Sequence, residues 1–294
     1  MGQRFRFRWD RRLSKTPNRT MQRDVEVARH HRQGWTNFPW LPLLSVLGWL
    51  LAWEVLVRVA RIPHYTLPAP SLVLQTLMEN FGSLAMSWWF TMKITFGALL
   101  LACLGGVLIA VVFALSAPLE AVLLPLAVVL QVTPVVAIAP LMLIYVESTT
   151  AALLLCAWIV AFFPILSNTL MGLRAADPLL RDLFRLYGAG PLQRLRLLLM
   201  PSALPYFVAG VKVSGGLSLI GAVTAEMVAG AAGRETGLAS RILEASFRTE
   251  TPKMFAALLL LVMTGLMIHA ASNALSRRWL VRWHASEKLS GNSR

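Results

Sequence analysis

The chain has 294 residues, of which 56% are hydrophobic and only 14% charged. A soluble domain carries about 25% charged residues, so an ordinary soluble enzyme is excluded, and so is a disordered body. Cys103 and Cys156 both lie inside apolar runs, which leaves neither a disulfide framework nor a Cys-based zinc site. The composition is that of an integral membrane protein. Its uncharged runs are continuous rather than alternating in segments of about ten residues, so the expected fold is all-α and not a β-barrel.

In chain order, residues 1–38 form a basic segment expected to be mostly disordered. It mixes arginine with aromatics, but beside a membrane span the anionic headgroups of the lipid bilayer are the simpler partner, and no nucleic acid is expected. Arg11-Arg12 has no apolar core following it as a twin-arginine signal would, and the first apolar run starts too late for a cleaved signal peptide. The first span covers about 40–59, with Glu54 and Arg58 placed to pair along one helix face. Residues 63–90 contain Pro-Ala-Pro-Ser and a run of spaced leucines. They predict a short surface helix capped by Ser71, with Trp88 and Trp89 at headgroup level.

Spans 2, 3 and 4 are expected at about 92–116, 121–146 and 148–172. Pro134 and Pro140 should break the third, and Pro164 should kink the fourth. Span 5, about 211–233, carries Glu226 and a face of small residues (Ser214, Gly215, Gly216, Ser218, Gly221) that permits close helix approach. Span 6 covers about 254–276, with His269 and Asn273 as interhelical hydrogen-bonding groups. The transmembrane domain thus runs over 39–283, and a tail over 284–294.

Six spans place both termini on one side. That side collects 21 of the 28 Lys and Arg residues, against 7 on the other, so both termini are expected in the cytoplasm. The same side receives the segment between spans 4 and 5. There Asp177 is an N-cap candidate, Pro178 fits the first helical position, and Gly188 can end the helix. Leu180, Leu183, Phe184 and Tyr187 recur at i, i+3, i+4 and i+7, with Arg181, Asp182 and Arg185 assigned to the other face. A second short helix is expected from Pro191 to about Leu199, ending at Pro201. A helix this short needs a cover for its apolar stripe, either the membrane surface or a groove in a cytoplasmic protein.

Asp182-Leu183-Phe184, Gly188 four residues on, and Leu198-x-Met200-Pro201 together resemble the EAA loop of ABC importer permeases, which reads E-A-A, three residues, Gly, nine residues, I-x-L-P. Pro134-x-x-Ala137-x-x-Pro140-Leu141, Phe162-Phe163-Pro164 with Asn168-Thr169, Gly172-Leu173-Arg174 with Asp177-Pro178, and Pro201-x-Ala203-Leu204-Pro205-Tyr206 with Gly210 are similar to one branch. That branch is the binding-protein-dependent permeases of the nitrate, sulfonate, taurine and bicarbonate type, and the likeness extends over about 68–283. The departures are Asp182 for Glu, the bulkier Leu183 and Phe184 for alanines, and Glu147 for Gly.

The resemblance implies a cell inner membrane permease that forms a translocation pathway for a small anionic solute. Its partners would be a second permease subunit in a homodimer, two cytoplasmic ATPase subunits and an extracytoplasmic solute-binding protein. It further implies ATPase coupling through Asp177, Asp182, Leu183, Phe184, Tyr187, Gly188 and Pro201, and a pathway bordered by span 5. Gln131, Ser218, Thr224 and Glu226 are the pathway-lining candidates, with an ion pair or backbone cap near the outer boundary as the alternative role of Glu226.

The chain itself shows no Gly-Lys-Ser/Thr phosphate loop, no catalytic triad motif and no metal-ligand spacing. No catalytic residue, metal or cofactor is therefore expected in it, ATP and magnesium belonging to the ATPase. An ATP-independent secondary transporter or channel is the alternative. It would show inverted repeats with paired broken helices, which are not evident.

Overall fold

A computed structural model of the chain describes residues 40–230 and 236–290, and all regular structure within them is helical. The expected disorder of residues 1–38 lies outside the described residues. The chain divides into two units, Met1–Ala60 and Arg61–Arg294. The first contains α1 (Leu41–Val59), 19 residues long, or about 28 Å, close to the thickness of hydrocarbon. Within it Arg58 meets Glu54 at 2.6 Å, the pairing that their spacing predicts.

The second unit begins its helices with α2 (Pro70–Glu79). Ala69 occupies the N-cap position and Pro70 the first turn, so Ser71 lies inside the helix and does not cap it. The fixed φ of Pro70 sets the helix start two residues earlier than the hydroxyl would. Next, α3 (Phe81–Leu115) runs for 35 residues, about 52 Å and well beyond the bilayer core. It starts eleven residues before the expected span because Phe81 to Thr91 continue the helix without a glycine or proline strong enough to stop it. One face of α3 exposes Leu100, Leu104 and Leu108. The opposite face buries Ala98, Ala102, Gly106 and Ala110 at a spacing of four. That small-residue row lets the backbone of α6 (Thr149–Arg174) approach closely.

Between them lies span 3, broken at Pro134 as its sequence predicts. Span 3 is not one rod but α4 (Ala117–Val132) and α5 (Val135–Tyr145), bent by 100°. Pro134 causes the break: it lacks an N–H and forces Thr133 into an extended conformation, with ψ 121°. The Thr133 hydroxyl donates to the Val129 carbonyl at 2.7 Å and closes the end of α4. Pro140 does not break the chain, since it lies inside α5, and Pro164 lies inside the continuous α6. Asn168 donates its side-chain amide to the Pro164 carbonyl at 2.7 Å.

After α6 come α7 (Pro178–Leu186), the single turn α8 (Pro191–Arg194), a π-helical turn (Leu195–Leu199) and α9 (Met200–Ala229). The helix from Pro191 was expected to end at Pro201. It continues instead, because the widened turn pairs the Met200 N–H with the Leu195 carbonyl and relieves the proline ring of the i−4 clash. Then α9 packs along α6, where Ser214 donates to the Ala161 carbonyl at 2.6 Å. The segment after α9 forms a helix that sequence periodicity did not reveal, α10 (Leu238–Phe247), followed by α11 (Thr251–Ser290). Trp88 of α3 donates to Thr264 of α11 at 2.7 Å.

The α6–α9 seam has little spare room. A Cβ on Gly172 would lie 2.7 Å from the Tyr206 Cβ and 2.8 Å from the Ala203 Cα, whereas one on Gly82 would meet nothing within 4 Å. Gly172→Ala should therefore lower stability by about 1–3 kcal/mol through overpacking. Gly82→Ala should be neutral or slightly stabilising. Thermal unfolding of the two purified variants in detergent checks this; equal melting points would contradict the seam.

Candidate functional site

Three places concentrate the residues singled out by sequence. The first is the end of the bundle at α7. Asp177 accepts the Leu179 N–H at 2.8 Å, Pro178 opens the helix, and Gly188 takes φ +69° just after it. Such a cap contributes about 1 kcal/mol, and the positive φ suits glycine. Leu180 and Leu183 are more than two-fifths exposed and Tyr187 is 83% exposed, while Phe184 is half-buried. Leu179 and Leu186, outside the expected stripe, are also strongly exposed. Asp182 lies in solvent 3.5 Å from Arg185, a weak pair. Pro201 is in the first turn of α9, away from this surface patch in sequence and without a capping role. An apolar cleft of about 370 Å³ lies beside the helix, lined by Leu183, Phe184, Tyr187, Ala189, Gln193 and Leu197.

Arg181 was assigned to the solvent face with Asp182 and Arg185, and here the structure differs. Its Nη2 donates to the Leu173 and Arg174 carbonyls at 3.1 and 2.7 Å. These are unpaired carbonyls at the C-terminus of α6, where a cation is favoured. The arginine therefore ties α7 to the end of α6. Arg174 in turn pairs with Glu120 of α4, so a chain of contacts joins α7, α6 and α4.

The second place is Glu226, near the end of α9. It is fully buried. Its Oε2 accepts the Ala239 N–H at 3.1 Å and the Thr91 hydroxyl at 3.2 Å, and Thr91 accepts the Leu238 N–H at 2.9 Å. Ser240 donates to the Glu226 carbonyl at 3.2 Å. The carboxylate thus sits at the N-terminus of α10, where unpaired N–H groups and the helix dipole favour an anion. A Cβ on Gly237 would come within 2.1 Å of it, so only glycine fits there. Glu226 is a backbone cap, and it does not face an opening. No spacing in the sequence links residue 226 to 91 or 239; only the fold brings them together. Just outside this cluster, the hydrogen bond from Arg241 holds the Glu244 carboxyl below the usual carboxylate range, with Arg248 adding to it.

The third place is the exposed stripe of α9. Val213, Ile220 and Met227 are exposed, Gly216 has open space above it, and Thr224 is half-buried with its hydroxyl on the Ile220 carbonyl at 2.7 Å. Ser218, a lining candidate, is instead buried and donates to the Gly215 carbonyl at 3.0 Å. It lies on the side of α9 turned into the helix bundle. Gln131 is exposed in the last turn of α4, next to the 100° bend. Among the described residues no cluster of three or more His, Cys, Asp or Glu could hold a metal.

Thr91→Val removes both the donor to Glu226 and the acceptor of Leu238 while keeping side-chain shape. Leaving buried partners unpaired costs about 1–3 kcal/mol. Hydrogen exchange at Leu238 and Ala239 should speed up by more than tenfold, with α7 unaffected. Unchanged exchange at those amides would contradict the capping role.

A 32% identical relative in Haemophilus influenzae, covering 81% of this chain and 96% of its own, is named "Probable ABC transporter permease protein". The riboflavin transport system permease protein of Chloroflexus aurantiacus is 33% identical, with coverage of 85% and 93%. The taurine transport system permease protein of Escherichia coli is 24% identical, with coverage of 82% and 88%. A crystal structure of an amino acid ABC transporter with histidines shares the fold at TM-score 0.56 and 18% identity, over 69% of this chain and 97% of that one. Residues 102–281 match the family described as binding-protein-dependent transport system inner membrane component, and the chain belongs to that family as a multi-pass inner membrane protein.

Proposed function

We propose that this chain works as one of two identical permease subunits of an ATP-driven importer, with α7 as the element that two cytoplasmic ATPases move. The exposed apolar surface of α7 carries this reading. A nine-residue helix is marginal unless something covers it, and Leu179, Leu183, Leu186 and Tyr187 present a surface that fits a groove. Arg181 and the Arg174–Glu120 pair supply the mechanical link. ATP binding shifts the ATPases between two states, and it can shift the permease only if they grip α7 differently in each. On this assignment α7 and both termini face the cytoplasm, consistent with the bias of basic residues. ATP and magnesium are held by the ATPase, and no catalytic step falls to this chain.

The translocation pathway in this proposal runs beside the exposed stripe of α9, where a second copy would meet it. Gly216 allows close approach, and Thr224 and Gln131 are the polar groups left accessible. With Ser218 and Glu226 buried, the few polar groups on that stripe can do little to select a solute. Selection then falls to the extracytoplasmic binding protein. A small anion such as an aliphatic sulfonate, taurine, nitrate or bicarbonate fits the relatives named for taurine and bicarbonate transport. A neutral heteroaromatic solute is the second reading, favoured by the 33% identity to the riboflavin permease protein.

Tyr187→Asp places a charge in the proposed groove, and Gly188→Pro forbids the positive φ that ends α7. Either variant should insert normally yet lose co-purification of the ATPase by at least about tenfold. Wild-type yields of ATPase with both variants would remove α7 from this role. For the substrate, calorimetric binding of taurine, bicarbonate and riboflavin to the cognate binding protein separates the two readings: tight binding of an anion supports the first, and tight binding of riboflavin alone supports the second.

A further inference from the structure

At the α7 end of the bundle a cavity of about 450 Å³ is lined by Arg174, Arg181, Arg185 and Arg194, with Leu173 and Leu198 among its apolar walls. Its four guanidinium groups outnumber the acids that meet them. Arg174 has Glu120, and Arg185 reaches Asp182 only at 3.5 Å. Among the described residues neither Arg181 nor Arg194 has a carboxylate within 4 Å. The Nε atoms of both are buried without a hydrogen-bond partner. Two buried, unpaired donors on cationic side chains in one cavity are costly unless an acceptor joins them. Arg181 spends its Nη2 on the α6 carbonyls, which offsets the negative end of that helix and leaves its Nε free for an anion.

We propose that this cavity binds a phosphate-bearing anion. The planar fork of arginine matches phosphate oxygens in two-point hydrogen bonds. A bare phosphate would leave much of the cavity empty, whereas a phosphodiester with part of its attached glycerol would fill it and cover Leu173 and Leu198. The cavity also lies where α3 and α6 end, with Ala114, Leu115 and Leu173 in its wall, which is the depth of lipid headgroups when those helices span the bilayer. A phospholipid headgroup and a free phosphate share the chemistry, and the lipid is the source that the volume and the apolar wall favour. Bound there, the anion would stiffen the joint between α6 and α7, through which any movement of α7 passes.

The test uses the full-length permease and two arms. In the first, wild type and Arg194→Gln are reconstituted in nanodiscs of phosphatidylcholine and phosphatidylglycerol in equal parts, re-extracted in detergent, and scored for retained phosphatidylglycerol by native mass spectrometry. In the second, inorganic phosphate is titrated into delipidated protein and followed by phosphorus NMR. Arg196→Gln, an exposed position outside the cavity, is the control for lost surface charge. Arg194→Gln is chosen because, unlike Arg181, it caps no helix, and its melting point should stay near that of wild type.

Retention of phosphatidylglycerol that falls at least about tenfold in Arg194→Gln and not in Arg196→Gln supports the proposal with a lipid source. Saturable phosphate binding lost in the same variant supports it with a soluble source. Equal retention and equal phosphate binding in wild type and Arg194→Gln, equal losses in the two arginine variants, or no binding in either arm would overturn it.

Discussion

Hydrocarbon leaves no water to satisfy a backbone N–H or C=O, so every place where a helix stops or bends must be closed by the protein itself. In this chain the closures coincide with the points of functional interest. Thr133 closes the end of α4 at the bend made by Pro134, Arg181 covers the last carbonyls of α6, and Glu226 with Thr91 covers the first N–H groups of α10. The last two also join elements. Arg181 ties α7 to α6, and Glu226 and Thr91 tie α9, α3 and α10 together at the other end of α9.

The helices between these closures associate for a different reason. Inside lipid there is little hydrophobic drive for one apolar helix to prefer another, so contact depends on fit and on hydrogen bonds. The alanine and glycine row of α3 and the glycines of the α6–α9 seam supply the fit, and Ser214 and Trp88 supply the bonds. The large side chains point outward: Leu100, Leu104 and Leu108 on α3 are exposed, as are Val213, Ile220 and Met227 on α9. The exposed stripe of α9 is mostly apolar, which supports the proposal that the solute is chosen elsewhere.

Features carried by local chemistry were legible from sequence. Asp177, Pro178 and Gly188 fix the ends of α7 through capping, imposed φ and positive φ, and these need only neighbouring residues. The apolar runs gave the membrane-spanning class in the same way. Features set by contacts between distant residues were not legible. An acid within a span marked Glu226 as either a lining residue or a backbone cap, but the N–H groups that it caps, on a helix twelve residues later, could not be named from sequence. Arg181 sat on the polar side of a helical projection, although its length lets it fold back onto α6. Pro134 announced a break but not its angle, and Pro201 announced a stop that a π turn absorbed.

The central claim is that α7 transmits work done by a separate ATPase to the membrane helices. Solute uptake into proteoliposomes holding the purified permease tests it most directly, measured with and without the partner ATPase and ATP, in the presence of loaded binding protein. Accumulation against a gradient should occur only when the ATPase and hydrolysable ATP are both present. Equal uptake by the permease alone would contradict the claim and leave an ATP-independent transporter in its place.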